Sequence, residues 1–565
     1  MNNMPAYNFA NFFIKLLIAF LILIPAACSP AEEGTIIHNI NGYTYQDDKL
    51  AEFESIAFSN GKIVATGPAE ELMNSYSNYS QIDGNGKTLL PGLIDAHGHV
   101  MGLGFNELDI DLSGISSLEE TLEKIKKYAE ENPDLEWIQG RGWNQVLWES
   151  NQFPTARDLD SVVPDRPVWL RRIDGHAGWA NTKAMELAGI SRDTPDLQGG
   201  KIHRDANGNA IGIFIDTVMR YIEREVPERS AEERERALQL ALNKMAAHGL
   251  TSVHDAGIDE QTWNLYKKFA DNDSLITRIY AMIRGTGDTF DKLSENGPIE
   301  SYTNDLLALR SVKISADGAL GSRGAAMIED YSDDPGNTGL LFYDQEELNS
   351  MMVKGISNGY QMNIHAIGDA ANRQVLDAFE YAYSRVEGAD TLRHRIEHAQ
   401  IVQMEDIPRF KELNLIASMQ QTHATSDMNM AEDRVGPERI EGAYAWQKFL
   451  EQGTVIAGGS DFPVEDVNPF YGVYSAITRQ NHEGMPPEGW YPEEKMDRKE
   501  AFRSFTINAA YAAHQENIIG SLEPGKYADF IIIDRNYFSA PASEIWQTEV
   551  LETWVAGKQV YKAGQ

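Results

Sequence analysis

From 91 to 510 the chain alternates short apolar runs with longer amphipathic patterns, which predicts strands alternating with helices in a parallel α/β unit. The runs are Leu89 to Asp95, Thr251 to Asp255, Thr277 to Met282, Ser311 to Ile314, Gln361 to His365, Arg395 to His398, Leu415 to Met419 and Thr454 to Ala457. Eight such units predict a TIM-like (β/α)8 barrel. Both ends of the chain read differently. Short strands are expected at Thr35 to Ile40, Ser55 to Phe58 and Lys62 to Thr66, the last two joined by the turn Ser59-Asn60-Gly61. Tyr527 to Ile533, Glu549 to Val555 and Gln559 to Lys562 form a matching set, so 35–90 plus 515–565 should make one small β-sandwich domain. About 150 residues separate the first two barrel strands, far more than a connection needs. Helices expected at Ser116/Ser117 to Glu130 and Ala231 to His248 bracket this span, which reads as a cap inserted at 105–245.

Composition adds limits. With 42% hydrophobic and 24% charged residues among 565, the chain is neither disordered nor a multi-span membrane protein. Acidic residues outnumber basic ones 85 to 49, for a formal charge of −36, which argues against a nucleic-acid partner and for a well-hydrated surface. A small-molecule substrate is the expected partner, and a homo-oligomer is compatible with the pattern.

The N-terminus departs from this polar character. Lys15 precedes nine apolar residues, Leu16 to Ile24, and then Pro25-Ala26-Ala27-Cys28, which reads as an export signal over 1–28. Cys28 is the only cysteine, so no intrachain disulfide can form. Its position resembles the lipobox of bacterial lipoproteins, although Pro25 stands where leucine is usual. The expectation is an exported, lipid-anchored protein whose membrane contact is confined to that segment, the alternative being a plain signal peptide.

Chemistry-bearing residues recur where the barrel strands end. His97 and His99 are two apart, so both can face one cation if the strand continues through them. His-x-His alone is a common spacing. Here Lys313 lies in the fourth strand, His365 and His398 end the fifth and sixth, and Asp461 follows Gly458-Gly459-Ser460 after the eighth. Barrel active sites lie at these strand ends, which favours one shared site over five separate coincidences. His254, Gln420 and Gln421 face the same rim and read as supporting polarity.

The segments PGLIDAHGH (Pro91 to His99), those around His365 and His398, and Gly459-Ser460-Asp461 with Pro463 resemble the amidohydrolase superfamily. Asp174-Gly175-His176-Ala177 and Lys313 to Arg323 narrow the resemblance to its third, YtcJ-like family, over about residues 35 to 562. The resemblance implies a binuclear centre. His97, His99 and Asp461 would hold one divalent metal, His365 and His398 a second, and a carboxylated Lys313 would bridge the two. Zinc is the first choice, with iron, manganese or cobalt as alternatives.

The implied activity is hydrolysis of a non-peptide carbon–nitrogen bond, of amide or N-formyl type, by metal-activated hydroxide with Asp461 as the catalytic base and acid. A deaminase or cyclic-amide hydrolase on the same scaffold is the nearest alternative, and a non-catalytic exported binding lipoprotein a more distant one. Four further residues are candidate substrate contacts: His176 and Arg172 from the insert, Arg323 as a carboxylate clamp, and Trp143 as an apolar wall.

Overall fold

Helices begin where the sequence supplies a cap for their free N–H groups. Ser117 accepts from the Glu120 amide ahead of Leu118–Glu131, and Ser230 and Glu233 form a reciprocal capping box ahead of Ala231–Ala247. These are the two helices expected to bracket the insert. The computed structural model describes residues 33–47 and 49–564. The expected export signal, 1–28, lies outside them.

The barrel strands are β1 (Leu93–Gly98), β2 (Leu250–Ile258), β3 (Arg278–Arg284), β4 (Leu307–Ser315), β5 (Gln361–Ala366), β6 (Arg395–His398), β7 (Ile416–Gln420) and β8 (Ile456–Gly459). They pair in chain order, each parallel to the next. All eight coincide with expected runs except at the first boundary. The run from Leu89 to Asp95 is divided at Pro91-Gly92: Ser80–Pro91 belongs to the terminal sheet and β1 starts at Leu93. Gly92 makes the crossing possible, because a Cβ there would lie 2.2 Å from Thr251 Oγ1 on β2.

β8 and β1 are not laddered like the other pairs, so the barrel is nearly rather than fully closed. Side chains and the ends of the strands complete the seam. Asp95 accepts from the His97 amide (2.9 Å), the Ser460 amide (3.1 Å) and the Ser460 hydroxyl (2.6 Å). Beyond it the Asp461 amide donates to the His97 carbonyl (2.7 Å) and the His99 amide to the Phe462 carbonyl (2.8 Å). Burial pushes the Asp95 carboxyl up to about 7, against the opposing pull of Ser460 and His97.

The chain ends combine as expected, hydrogen-bonded as one continuous mixed sheet of seven strands. Its order is Lys558–Lys562, Val550–Val555, Phe530–Ile533, Ser80–Pro91, Gly34–Gln46, Lys49–Ser59, Lys62–Gly67. The insert builds a six-stranded sheet of its own between Ile110 and Asp216, with a core that includes Trp143, Trp148 and Trp179. Among the described residues no helix is long and apolar enough to cross a membrane.

A buried ion pair joins the barrel to the terminal sheet. Arg278, at the start of β3, donates Nε to Asp529 Oδ2 (2.6 Å) and Nη2 to Oδ1 (3.1 Å), and the Ala556 amide donates to the same carboxylate (2.7 Å). Truncating one partner strands a buried charge, so Asp529→Ala should cost about 3–5 kcal/mol, whereas the apolar double variant Arg278→Met/Asp529→Leu should recover part of that loss. Thermal unfolding of the three proteins checks this; an unchanged midpoint in Asp529→Ala would refute the role given to the pair.

Candidate metal centre

The C-terminal ends of β1, β4, β5, β6 and β8 bring six expected residues together. His97 is fully buried on β1, and His99 follows at the head of the short helix Val100–Asn106. Asp461, fixed by its amide bond to His97, places Oδ1 3.0 Å from His99 Nε2 and 3.5 Å from His97 Nε2. Lys313 Nζ stands 3.3 Å from His97 Nε2. The His398 ring lies 4.8 Å from that of His97 and 4.5 Å from that of His365, centroid to centroid.

Whether these residues fit a cation depends on which nitrogens keep a lone pair. His97 Nδ1 lies 2.5 Å from Glu397 Oε2, and His398 Nδ1 lies 2.6 Å from Gln420 Oε1. Each outward nitrogen is thereby the donor, leaving Nε2 of both rings as an acceptor facing the centre. His365 has the opposite arrangement, with Nε2 3.4 Å from the Gly318 carbonyl and 3.3 Å from Asp317 Oδ1, which leaves Nδ1 free. Burial lowers the pKa of His97, His365 and His398, so all three are neutral. Asp461 Oδ1 is buried and makes no hydrogen bond. Lone pairs of His97 and His398 beside an unsatisfied carboxylate oxygen are what a divalent metal requires, whereas His365 joins the group through its ring contact with His398. Ligand atoms of His97, His99 and Asp461 all lie within 4.8 Å of one another, as do those of His398, His423 and Asp461.

His423 was not legible from the sequence. It sits in the helix after β7, its Nδ1 2.9 Å from Glu465 Oε1 and its Nε2 3.6 Å from Asp461 Oδ2. Burial disfavours its charge, but the neighbouring Asp461 carboxylate and the hydrogen bond to Glu465 prevail and raise it to about 10. Burial would also raise Asp461, yet His423, His99 and His97 together hold that carboxyl well below the usual range. Glu397 was missed too, for a reason of register. It pairs with His365 across β5 and β6 and so faces inward, and its neighbour His398 should then face outward. A left-handed backbone at His398 (φ 73°) turns the ring back to the centre. Asp461 holds a similar conformation (φ 60°); such backbone in non-glycine residues concentrates at functional sites.

The cap roofs a cavity of about 1100 Å³ above this floor. His176 lines it, with its ring centroid 5.4 Å from that of His365 and Nδ1 2.6 Å from Asp216 Oδ1. The loop after β4 approaches the cap so closely that a Cβ on Gly318 would sit 2.6 Å from Asp216 Oδ2. Arg172 also reaches the wall, but its guanidinium is consumed by Gln145, Asp174 and Asn144. The other two expected contacts lie elsewhere. Trp143 is wholly buried in the cap core, where its indole donates to the Leu170 carbonyl (2.9 Å), and does not line the cavity. Arg323 pairs with Asp333 (2.9 Å) outside the cavity. For both residues the direction of the side chain depends on packing that spacing does not encode.

Comparison with known proteins agrees with this geometry. The model of the amidohydrolase family matches residues 81–561. The chain is 34% identical to Protein LONG AFTER FAR-RED 3 of Arabidopsis thaliana over 92% of this chain and 91% of that one. It is 31% identical to the putative amidohydrolase YtcJ of Bacillus subtilis, over 90% and 96%. Among solved structures, a metal-dependent hydrolase from Pyrococcus horikoshii superposes with a TM-score of 0.72 at 27% identity, over 90% of this chain and 99% of that one. The barrel, its cluster of strand-end histidines with Asp461 and the full-length similarity lead to one assignment: the chain belongs to the amidohydrolase family of metal-dependent hydrolases, in its YtcJ-like branch.

Proposed function

We propose that this hydrolase cleaves a non-peptide carbon–nitrogen bond in a small amide or N-formyl compound, at a centre of two divalent cations, zinc by first choice. Asp461 carries the reading. Its Oδ1 faces His97 and His99 while its Oδ2 faces His423, so a single carboxylate borders both the ligand cluster and a proton-bearing imidazole. Full-length similarity at 28% identity to the N-substituted formamide deformylase of Arthrobacter pascens, covering 90% of this chain and 95% of that one, supports the amide side of the choice.

His97, His99 and Asp461 would hold one cation and His365 and His398 the other, with Lys313 between them. When bound, the metals supply a water ionised near neutral pH and a Lewis acid for the substrate carbonyl. Burial draws the Lys313 amine below its ordinary pKa, with Glu397 and Asp461 pulling the other way. As an ammonium it would repel a neighbouring cation; as a carbamate it offers two anionic oxygens. Asp461 Oδ2 accepts the proton of the attacking water and returns it to the departing nitrogen. His423, braced by Glu465, orients that carboxylate and keeps it anionic. The cap, through His176 and its neighbours, limits bulk water and holds the substrate over the floor.

Elemental analysis of the purified protein should give about two metal atoms per chain, falling to about one in Lys313→Met. A single atom in the wild type would remove the bridging lysine from this scheme. Asp461→Asn keeps an oxygen ligand but loses the base, so turnover of N-substituted formamides should fall by roughly 10² or more while most of the metal is retained. His97→Ala should instead lose metal first, and chelation should abolish wild-type turnover in a way that added zinc reverses. Retained activity in fully chelated protein would contradict the proposal.

A further inference from the structure

The cations lining the cavity are neutralised with two exceptions outside the metal centre. Among the described residues Arg171 pairs with Glu223 (2.5 Å), Arg172 with Asp174 (2.5 Å), Lys244 with Glu107 (2.5 Å) and Arg234 with Asp259 (3.8 Å). Arg141 and Arg284 line the same cavity and, among the described residues, have no carboxylate within 4.0 Å. Arg284 is exposed, whereas Arg141 is half-buried in the cap wall. In a chain of net charge −36, a sheltered cation left without a partner needs a reason.

The way Arg141 is held supplies one. It lies on the cap strand Ile138–Trp143, in register with Arg171 on the next strand. Its Nε (3.2 Å) and Nη2 (2.7 Å) both donate to the Ile173 carbonyl, which fixes the plane of the guanidinium. Nη1 has no protein acceptor among the described residues. Arg172 shows what a purely structural guanidinium looks like in this wall, since Nε, Nη1 and Nη2 are each taken by a side-chain oxygen. Burial and the nearby Arg171 lower Arg141 to about 10, with Asp461 and Asp174 opposing, so it remains cationic at neutral pH and senses the charge of the centre.

We propose that Arg141 anchors a carboxylate at the end of the substrate remote from the scissile bond, which makes the preferred substrates anionic amides rather than neutral ones. The proposal rests on the amide reading for the bond cleaved, though not for the anchoring itself. A rigid guanidinium with free N–H bonds matches a carboxylate in charge and geometry, and a sheltered site strengthens the pairing. It takes over the clamp role expected of Arg323, whose guanidinium is spent on Asp333.

Two readouts test it on the metal-loaded protein. Linear dicarboxylates from succinate to azelate are titrated calorimetrically against monocarboxylates of equal length, which can occupy the metals but not Arg141 at the same time. At one chain length the dicarboxylate should bind roughly tenfold or more tightly, and the advantage should vanish in Arg141→Met and survive in part in Arg141→Lys. In turnover, N-formyl ω-amino carboxylates should show a KM at least tenfold below that of N-formylalkylamines, with Arg141→Met raising KM for the acids alone and leaving kcat nearly unchanged. No dicarboxylate advantage in the wild type, or one that persists in Arg141→Met, overturns the assignment. Should Arg141→Met fail to fold, the wild-type comparison and Arg141→Lys decide. Tight dicarboxylate binding that depends on Arg141, with no formamide cleaved, would sink the amide reading and leave the anchor standing.

Discussion

The centre depends on how the barrel closes between β8 and β1. Seven of the eight strand junctions are ordinary parallel ladders; the eighth is bridged by the Asp95 carboxylate, which takes the Ser460 amide and hydroxyl and the His97 amide. That substitution has a consequence for chemistry. A ladder would continue the strands past one another, whereas a side-chain bridge lets both chains turn at the rim, with the Asp461 amide on the His97 carbonyl and Phe462 beside Gly98. The same contact that closes the barrel therefore fixes the spacing between His97, His99 and the carboxylate that completes their cluster.

A second layer converts proximity into ligation. A buried imidazole can be a donor at either nitrogen, and the outer partner makes the choice. Glu397 and Gln420 take the Nδ1 protons of His97 and His398, while Asp317 and Gly318 take the Nε2 proton of His365. Asp317 is itself held by the amides of Ala326, Ile367 and Gly368, so the rigidity of the loop after β4 reaches the His365 ring through Asp317 and Gly318. An outer acceptor of this kind sets which ring nitrogen keeps its lone pair, and so which atom a cation could use.

The strands of the barrel were legible because buried parallel strands must be short and apolar, and His97, His365, His398 and Asp461 stood out as polar residues at or just beyond the ends of such runs, with Lys313 inside one. Three features were not. The division of the first run at Gly92 depends on the approach of Thr251, which lies some 150 residues away in sequence. Glu397 was hidden behind His398, because period-two alternation allows one inward residue of the pair and left-handed backbone at His398 supplies the other. His423 follows its strand on a helix, where no alternation marks it. For the cap the pattern did not encode orientation: of the two expected substrate contacts, Trp143 is held inside the insert and Arg172 by three neighbouring oxygens.

This division between barrel and cap has a chemical logic. The barrel contributes neutral imidazoles, a lysine and one carboxylate, a set that can hold cations and handle a proton but has little means of telling one small amide from another. Discrimination must come from whatever faces the rest of the substrate, a surface shared by barrel segments such as those of Phe342, Thr425 and Val464 and by cap strands that stand apart from the seam at Asp95. A cap residue acts on specificity only if its polar capacity is unspent within the protein. Arg172 has none left and serves as a strut; Arg141 lines the cavity with an Nη1 that has no acceptor among the described residues, so its charge is the one that an anionic substrate would balance.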